Sequence, residues 1–217
     1  MDIKSLNDKY HYLSPLMRME KLFNDFESPR VLATSSFGTS SVVLLHLISK
    51  VNPSHPIYFL DTGYHFKATL NFKHQLQEQL KLNIIDVKAP ENRHVFTNKH
   101  KTYQFNQDLC CHINKVMPVD ELKDQHDLWI SGVLRYQNAN RSKMKIFEAK
   151  PDIVKFNVLL DMTQKEVELY KYVNELPEHP LLPEGYHSVG CENCTVRGIG
   201  REGRWVDSFK AECGLHA

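Results

Sequence analysis

The sequence has no long apolar run, no strong net charge and no apolar segment at its start. No stretch of its 217 residues approaches the roughly 20 apolar residues that a membrane-spanning helix needs. The first residues, MDIKSLNDKYHYL, lack the apolar core of a secretory signal peptide. Lysine and arginine total 27 and aspartate and glutamate total 26, so no overall field attracts nucleic acid or an anionic membrane. We therefore expect a cytoplasmic protein that binds neither membranes nor nucleic acids, while a local cluster of cations can still bind a small anion.

Cysteine is scarce, and its five positions are confined to the second half of the chain. They are Cys110, Cys111, Cys191, Cys194 and Cys213. An odd number leaves a disulfide framework incomplete, and in a reducing compartment such clusters usually indicate metal ligands or catalytic thiols. We interpret the two close pairs as four metal ligands and the remaining cysteine as a single reactive thiol.

Apolar runs and helical patterns alternate along the first half of the chain. Strands are predicted at 31–34, 57–60, 84–87 and, after the adjacent cysteines, 128–131. Helices are predicted at 17–27, 41–50 and about 67–81, and a capping-box pattern begins another at Thr163 that runs to about Val173. This alternation favours an α/β fold in which a parallel sheet carries helices on its faces. We expect one domain over 1–217, with a core at about 28–195 and a mobile, loop-rich C-terminal segment at about 196–217.

A loop of small residues separates the first predicted strand from the helix that follows it. The loop contains Ser35, Ser36, Gly38 and Ser40. Such a loop suits an anion, because the backbone can approach it, hydroxyls can donate to it, and the helix N-terminus carries partial positive charge. It matches neither a Walker A sequence nor the G-x-G-x-x-G fingerprint, and an ordinary strand-to-helix turn with a serine cap is the alternative.

The second predicted strand ends in Asp61, Thr62 and Gly63. Open α/β sheets bind ligands outside the carboxyl ends of their strands, which makes these residues candidates for substrate contacts. Taken alone, the same three residues are also typical of a turn.

The two cysteine pairs suit either a zinc site or an iron–sulfur cluster. Cys191 and Cys194 have the C-x-x-C spacing of a zinc knuckle, whereas the adjacent Cys110 and Cys111 form a poor knuckle because neighbouring side chains diverge. An iron–sulfur cluster has a larger body that can accept ligands from adjacent residues. The spacing favours a cluster over zinc and leaves both open, with a buried free thiol as the alternative for any one cysteine.

Cys213 stands apart from the pairs, near the end of the chain. Lys210 precedes it by three residues and His216 follows it by three, so cationic neighbours favour the reactive thiolate form. An ordinary terminal cysteine without a chemical role is the alternative.

Several motifs point to one family when they are taken together. They are Cys110-Cys111 followed by Lys115 and Pro118; GYHSVGCENCT at 185–195; Gly203-Arg204-Trp205; the terminal ECGLH at 212–216; LDTG at 60–63; and Phe156-Asn157. In these motifs the chain, from about Val31 onward, resembles the assimilatory adenylylsulfate (APS) and phosphoadenylylsulfate (PAPS) reductases, in the branch that carries an iron–sulfur cluster.

The resemblance implies an adenine nucleotide α-hydrolase-like (PP-loop) fold, related to the Rossmann type, with a flexible C-terminal tail. It also implies a [4Fe-4S] cluster held by Cys110, Cys111, Cys191 and Cys194, with Cys213 as the nucleophile on the tail. The loop at 35–40 and the strand end at 61–63 would contact the substrate, and Lys115 would lie near cluster and substrate. The expected contacts to phosphate and sulfate oxygens are Arg135, Arg141, Arg201 and Arg204.

The implied reaction is reduction of APS to sulfite and AMP through an enzyme S-sulfocysteine, with thioredoxin or glutaredoxin as electron donor. In this family the cluster-bearing branch mostly uses APS, so the four cluster cysteines point to APS rather than PAPS. Leu134, which stands where the family usually has a first arginine, points the same way less strongly. PAPS reduction or dual specificity is the alternative, and a non-catalytic, cluster-bearing nucleotide-binding protein is a more distant one. A PP-loop ATP pyrophosphatase is disfavoured because the Ser-Gly-Gly-x-Asp-Ser loop is missing. The oligomeric state stays open, a homo-oligomer included.

Overall fold

The computed structural model describes residues 1–206, 208, 210 and 212–215. His216 of the terminal motif lies outside the described residues, as do positions 207, 209, 211 and 217 of the segment that we expect to be mobile. Among the described residues, no helix combines the length and the apolar character needed to cross a membrane.

Six strands form one mixed, mostly parallel sheet. They are β1 (Val31–Ser35), β2 (Pro56–Leu60), β3 (Asn83–Val87), β4 (Leu128–Ser131), β5 (Phe147–Ala149) and β6 (Val154–Asn157). The strand order is β3-β2-β1-β4-β6-β5, and only the pairing of β5 with β6 is antiparallel. The chain builds the sheet outward from β1 in both directions, so the order reverses between β1 and β4. Ligand crevices in open α/β sheets form at such a reversal, outside the carboxyl ends of the strands.

Ten α-helices are described, most of them on the faces of the sheet. They are α1 (Ile3–Tyr10), α2 (Pro15–Asp25), α3 (Ser41–Val51), α4 (Lys67–Leu80), α5 (Glu91–Lys99), α6 (Thr102–Phe105), α7 (Gln107–Cys111), α8 (Met117–Lys123), α9 (Ala139–Ser142) and α10 (Gln164–Val173). A π-helical turn, His112–Val116, joins α7 to α8, and short 3-10 turns lie at Ser28–Arg30, Arg135–Gln137 and Glu192–Cys194.

Side chains alternate between the two faces of the sheet, as the two-residue period of a strand requires. Ala33 and Phe156 belong to the main hydrophobic core on one face, which α3 and α10 cover. Leu32 and Trp129 point to the other face, where they form a smaller cluster with Val119 of α8. The sheet is thus covered on both sides, as in other parallel sheets.

The first two helices precede the predicted core and still contribute to it. Their buried residues in the main core are Leu6, Tyr10, Met19 and Leu22. The amide of Asn7 donates to the carbonyl of Phe147 and accepts from its N–H, both at 3.0 Å, which ties α1 to β5. The core therefore extends N-terminal of residue 28.

The four predicted strands are confirmed, and the predicted helices are found with small shifts at their ends. The helix predicted at 17–27 is α2; it begins earlier because Ser14 caps it and Pro15 occupies its first turn, where a missing N–H loses no bond. α4 ends at Leu80 because Lys81 takes a left-handed conformation. The helix after Thr163 begins with the capping box that its sequence indicates. The pattern did not predict α1, α5 to α9, the strand β6 or the three-residue edge strand β5.

Candidate active site

A cleft of about 480 Å³ lies at the carboxyl ends of β1 and β4, where the strand order reverses. Three parts of the sequence form most of its wall: the loop after β1, the end of β4, and the C-terminal third of the chain. The predicted site residues that line it are Ser35, Ser36, Gly38, Ser40, Lys115, Arg141, Cys191, Arg201, Arg204 and Cys213. The fold therefore brings together most of the residues that the sequence predicted for substrate and catalysis.

The loop after β1 presents the N-terminus of α3 to the cleft. Phe37 is buried, has φ 50° and packs edge-on against the ring of Phe59. The N–H of Phe37 donates to Ser35 Oγ at 3.2 Å. A Cβ on Gly38 would lie 3.2 Å from the carbonyl of Val189, so glycine permits this close approach. Ser40, the capping residue of α3, makes no side-chain capping bond. The free N–H groups of α3 are thus available to an anion in the cleft.

The strand end at 61–63 faces elsewhere, since none of its three residues lines the cleft. Asp61 accepts from the N–H of Gly63 and pairs with Lys88, both at 3.0 Å. Burial raises the pKa of Asp61, but these two contacts outweigh it and the pKa is lowered. Thr62 Oγ1 lies 3.3 Å from the sulfur of Cys191. This strand end therefore supports the cysteines rather than the cleft.

All four paired cysteines line a second, small cavity of about 10 Å³, called here the thiol cavity. Cys110 and Cys111 form the last turn of α7, and the π-helical turn after them carries Lys115. Lys115 and Cys191 line both the cleft and the thiol cavity, so they form the wall between the two. Within the described residues, no three His, Cys, Asp or Glu side chains are grouped tightly enough to hold a single metal ion.

The charges at this shared wall balance one another. Burial disfavours the charged form of Lys115, but the thiols of Cys191, Cys111 and Cys213 outweigh it and its pKa is raised. Burial raises the pKa of the Cys191 thiol, yet Lys115, Thr62 and Arg204 outweigh it, so the pKa is lowered. Burial raises the pKa of Cys111 to about 12. Lys115 therefore stabilises negative charge on sulfur, first of all at Cys191.

The residues of the thiol cavity fit an iron–sulfur cluster by their chemistry. Four thiols share one cavity, and the half-buried ammonium group of Lys115 lies among them with no carboxylate ion-pair partner in the described part of the chain. The Nδ2 of Asn114 lies 3.7 Å from the sulfur of Cys110, and the Thr62 hydroxyl contacts Cys191, so hydrogen-bond donors also face sulfur. Such a cluster is held by four thiolates, and hydrogen-bond donors and charges near the sulfurs tune its properties.

The four predicted arginines have different surroundings. Arg204 lies in the cleft, 4.4 Å from the Trp205 ring centroid, and no carboxylate pairs with it among the described residues. A Cβ on Gly190 would collide with Nη2 of Arg204, so the glycine makes room for this guanidinium. Arg204 is therefore suited to an oxyanion in the cleft.

Arg141 and Arg201 line the cleft but are paired, both with Glu212. Arg135 does not line the cleft, and the expected contact to substrate finds no support in its position. It donates to the carbonyls of Ser142 and Met144 and pairs with Asp161 at 2.8 Å. Arg135 therefore holds parts of the fold together and does not face the substrate site.

Several residues of the cleft were not predicted as site residues, His65 and Glu212 among them. Nε2 of His65 lies 2.9 Å from the Leu60 carbonyl, which leaves Nδ1 buried without a partner in the described structure. Glu212 belongs to the terminal motif, but nothing in the sequence indicated which cation would bind it. For His65, the sequence offered one signal: it follows the Asp-Thr-Gly strand end by two residues.

The fold and site define the class of protein: an α/β protein of the adenine nucleotide α-hydrolase-like type. PAPS reductase from Candida auris, solved as a phosphate complex, superposes with a TM-score of 0.77 at 26% identity, covering 89% of this chain and 96% of that one. Yeast FAD synthetase shares the fold alone, with a TM-score of 0.60 at 15% identity, covering 92% of this chain and 70% of that one.

Sequence comparison then narrows the class to a family. The family model of the phosphoadenosine phosphosulfate reductase domain matches residues 30–197. Adenosine 5'-phosphosulfate reductase of Bacillus cereus (strain 03BB102) is 39% identical over 204 residues, which cover 89% of this chain and 86% of that protein. The enzyme of the same name from Chelativorans sp. (strain BNC1) is 35% identical over 218 residues, covering 97% and 89%. The chain belongs to the phosphoadenosine phosphosulfate reductase domain family.

The structural role of Arg135 predicts a stability effect at its partner. Asp161 also pairs, at 2.8 Å, with Arg18, whose side chain is 4% exposed. Burial raises the pKa of Asp161, but Arg135 and Arg18 outweigh it and the pKa is lowered. Asp161→Asn should therefore lower the free energy of unfolding by about 1–3 kcal/mol at pH 7, measured by urea denaturation.

The pH dependence of this effect follows from the lowered pKa. The stabilisation is present above the pKa of aspartate in the unfolded chain, about 3.9, and is lost as the pH falls through the lower pKa of the folded state. The difference between wild type and variant should thus be full at pH 7 and shrink in acid. The exposed Asp152 provides the control, Asp152→Asn. Equal stability of both variants at pH 7 would contradict the prediction.

Proposed function

We propose that this protein reduces APS to sulfite and AMP in sulfate assimilation for cysteine biosynthesis, with a thioredoxin or glutaredoxin as electron donor. Relatives named adenosine 5'-phosphosulfate reductase match most of the chain, and the family assignment agrees with that activity. One observation carries the proposal: Cys213 lines the same cleft as the free N-terminus of α3 and the guanidinium of Arg204. A thiol nucleophile thus shares one site with two anion-binding groups.

The anionic groups of APS have natural partners in the cleft. The loop at 35–40 and the N-terminus of α3 suit a phosphate, and Arg204 and Lys115 suit the sulfate. A thiolate that approaches a sulfate faces a repulsion of about 4 kcal/mol at 4 Å and an effective dielectric of about 20. Cations preorganised beside the sulfur offset that repulsion, which is where electrostatic stabilisation lowers the barrier most.

In the first step, the thiolate of Cys213 attacks the sulfur of the anhydride. A sulfur–sulfur bond forms, the bond from sulfur to the bridging oxygen breaks, and AMP leaves with its electron pair. In the second step, a thiolate of the donor attacks the Cys213 sulfur and displaces sulfite, which takes the electron pair of the bond. The second thiol of the donor resolves the mixed disulfide, so the donor supplies both electrons.

We propose that Cys110, Cys111, Cys191 and Cys194 hold a [4Fe-4S] cluster. When bound, the cluster supplies structural cross-linking and electrostatic tuning of the cleft rather than electrons. Lys115 lies between the thiol cavity and the cleft, so its charge responds to both the thiolates and the substrate. The cluster would also tie α7 to the segment around Cys191, which are far apart in sequence.

We propose APS rather than PAPS as the preferred substrate. The additional 3′-phosphate of PAPS requires cations of its own. Leu134, where the family usually has an arginine, is fully buried in the main core and supplies no charge to the cleft. Arg135 and Arg141, its neighbours in that loop, are occupied by Asp161 and Glu212.

The cluster assignment predicts iron in the purified protein. Protein prepared without oxygen should be brown and contain about four irons and matching acid-labile sulfide per chain. Cys194→Ser should lose the iron, because one of four ligands is missing, whereas Cys213→Ser should keep it. Stoichiometric zinc without labile sulfide would refute the assignment.

The assignment of Cys213 predicts a covalent intermediate. Incubation of wild type with APS and no reductant should add the mass of a sulfonate to the C-terminal peptide, detected by mass spectrometry. Cys213→Ser should form no adduct and release no sulfite on addition of thioredoxin, with its iron content unchanged as the control. An adduct on another cysteine, or sulfite production by the serine variant, would show that the mechanism is wrong.

Substrate choice is tested by steady-state kinetics with thioredoxin as donor. Each missing charge-assisted contact to the 3′-phosphate costs about 1.5–3 kcal/mol of binding free energy for PAPS. We therefore expect kcat/KM for APS to exceed that for PAPS by at least about tenfold. Comparable values would indicate dual specificity, and a higher value for PAPS would reverse the assignment. Sulfite from neither substrate would favour a non-catalytic nucleotide-binding protein.

A further inference from the structure

Glu212, the residue before Cys213, is held by three side chains in the wall of the cleft. Its Oε1 accepts from Arg141 Nε at 2.6 Å and from Asn138 Nδ2 at 2.8 Å. Its Oε2 accepts from Arg141 Nη2 at 3.0 Å and from Arg201 Nη2 at 3.2 Å. Both carboxylate oxygens are thus used, and Arg141 binds them in the two-pronged geometry that favours strong pairing.

The pair is withdrawn from water, which makes it sensitive to the loss of either partner. Glu212 is 8% exposed and Arg141 is 6% exposed. Burial raises the pKa of Glu212, but Arg141, Arg201 and Asn138 outweigh it, so the pKa is lowered and the carboxylate stays charged. A buried charge left without its partner is strongly destabilising, so each group requires the other in this position.

A second anchor lies on the other side of Cys213. Leu215 packs against the smaller hydrophobic cluster on the face of the sheet that includes Leu32 and Trp129. Gly214 between the anchors has φ 91°, a conformation that favours glycine, and a Cβ there would lie 3.2 Å from a methyl group of Val116. Cys213 is therefore held between a polar anchor and an apolar anchor, and it faces the cleft.

We propose that Glu212 is a positioning residue that docks the Cys213 segment into the cleft, and that Arg141 acts through Glu212 rather than on the substrate. This inference rests on the proposed function and deepens it. Arg141 and Arg201 lend charge to the carboxylate, while Arg204 and Lys115 face the cleft for the oxyanions of the substrate.

The contacts of Glu212 with Arg141, Arg201 and Asn138 are called the latch below. The two chemical steps require the latch in opposite states. Attack on the anhydride requires Cys213 inside the cleft, whereas transfer to a protein dithiol requires the S-sulfocysteine to leave it. The sulfonate that forms on Cys213 is an anion on the residue next to Glu212, and its charge repels the carboxylate. The latch therefore closes for the first step and is weakened by its product.

The test measures Cys213 reactivity and the two chemical steps separately. Glu212→Gln keeps the size of the side chain and removes its charge; Glu212→Asp keeps the charge. Glu202→Gln is the control, because Glu202 is exposed in the same C-terminal segment and does not line the cleft. Iron content and far-ultraviolet circular dichroism establish that each variant is folded.

The first readout needs no substrate. Alkylation of Cys213 by iodoacetamide, followed on the C-terminal peptide by mass spectrometry, should be about tenfold faster in Glu212→Gln, while Glu202→Gln should match wild type. Glu212→Asp should lie between the two. Equal alkylation rates in wild type and Glu212→Gln would overturn the proposal, whether or not APS is the substrate.

The second readout divides the reaction. In a single turnover without reductant, formation of S-sulfocysteine from APS should slow by about ten- to hundredfold in Glu212→Gln. Release of sulfite by thioredoxin from the preformed adduct should be unchanged or faster. Equal slowing of both steps would indicate a merely structural residue and would overturn the proposal. Absence of any adduct in wild type would refute the proposed function, and the alkylation experiment would still decide on the latch.

A double-mutant cycle tests how Arg141 acts. If it acts through Glu212, Arg141→Gln should slow adduct formation as Glu212→Gln does, and the double variant should be no slower than either single one. Effects that multiply in the double variant would place Arg141 on the substrate and would overturn that part of the inference.

Discussion

Parallel pairing of β1 with both β2 and β4 is the constraint on which the candidate site depends. Because the three strands run in one direction, every loop that follows them opens at the same edge of the sheet. The small-residue loop and the end of β4 border the cleft at this edge. The strand end at 61–63 lies at the same edge and contacts the cysteines instead. The N-terminus of α3 then faces a cleft rather than solvent, and the C-terminal segment returns across the same edge.

The two cavities form one electrostatic unit because Lys115 and Cys191 belong to both. The charged form of Lys115 is stabilised when the neighbouring sulfurs carry negative charge. A thiolate in a buried site is stabilised in turn by a cation beside it. A change in the thiol cavity is therefore felt in the cleft without any movement of the backbone. Through this mutual dependence, the proposed cluster would affect the chemistry of the cleft without exchanging electrons with the substrate.

The sequence predicted the frame of the fold better than the pairing of its charges. Strands at 31–34, 57–60, 84–87 and 128–131 follow from local apolar patterns, and the capping box at Thr163 is a local signal too. The partners of Arg135 and Arg141 are not local: these two arginines lie close together in the sequence, yet one binds Asp161 and the other Glu212. Which cation faces an empty part of the cleft is decided by the tertiary fold, so no spacing in the sequence could predict it. The edge strand β5 was missed because three residues are too few to establish a period.

The hydrogen bonds between the Asn7 side chain and the Phe147 backbone cover part of the open edge of the sheet. An outermost strand offers unpaired N–H and C=O groups, which another chain can use to extend the sheet and aggregate. In β5 the N–H and C=O of Phe147 are occupied by the side chain of a residue 140 positions away in the sequence. The first helix thus shields the last strand of the sheet from strand-to-strand association.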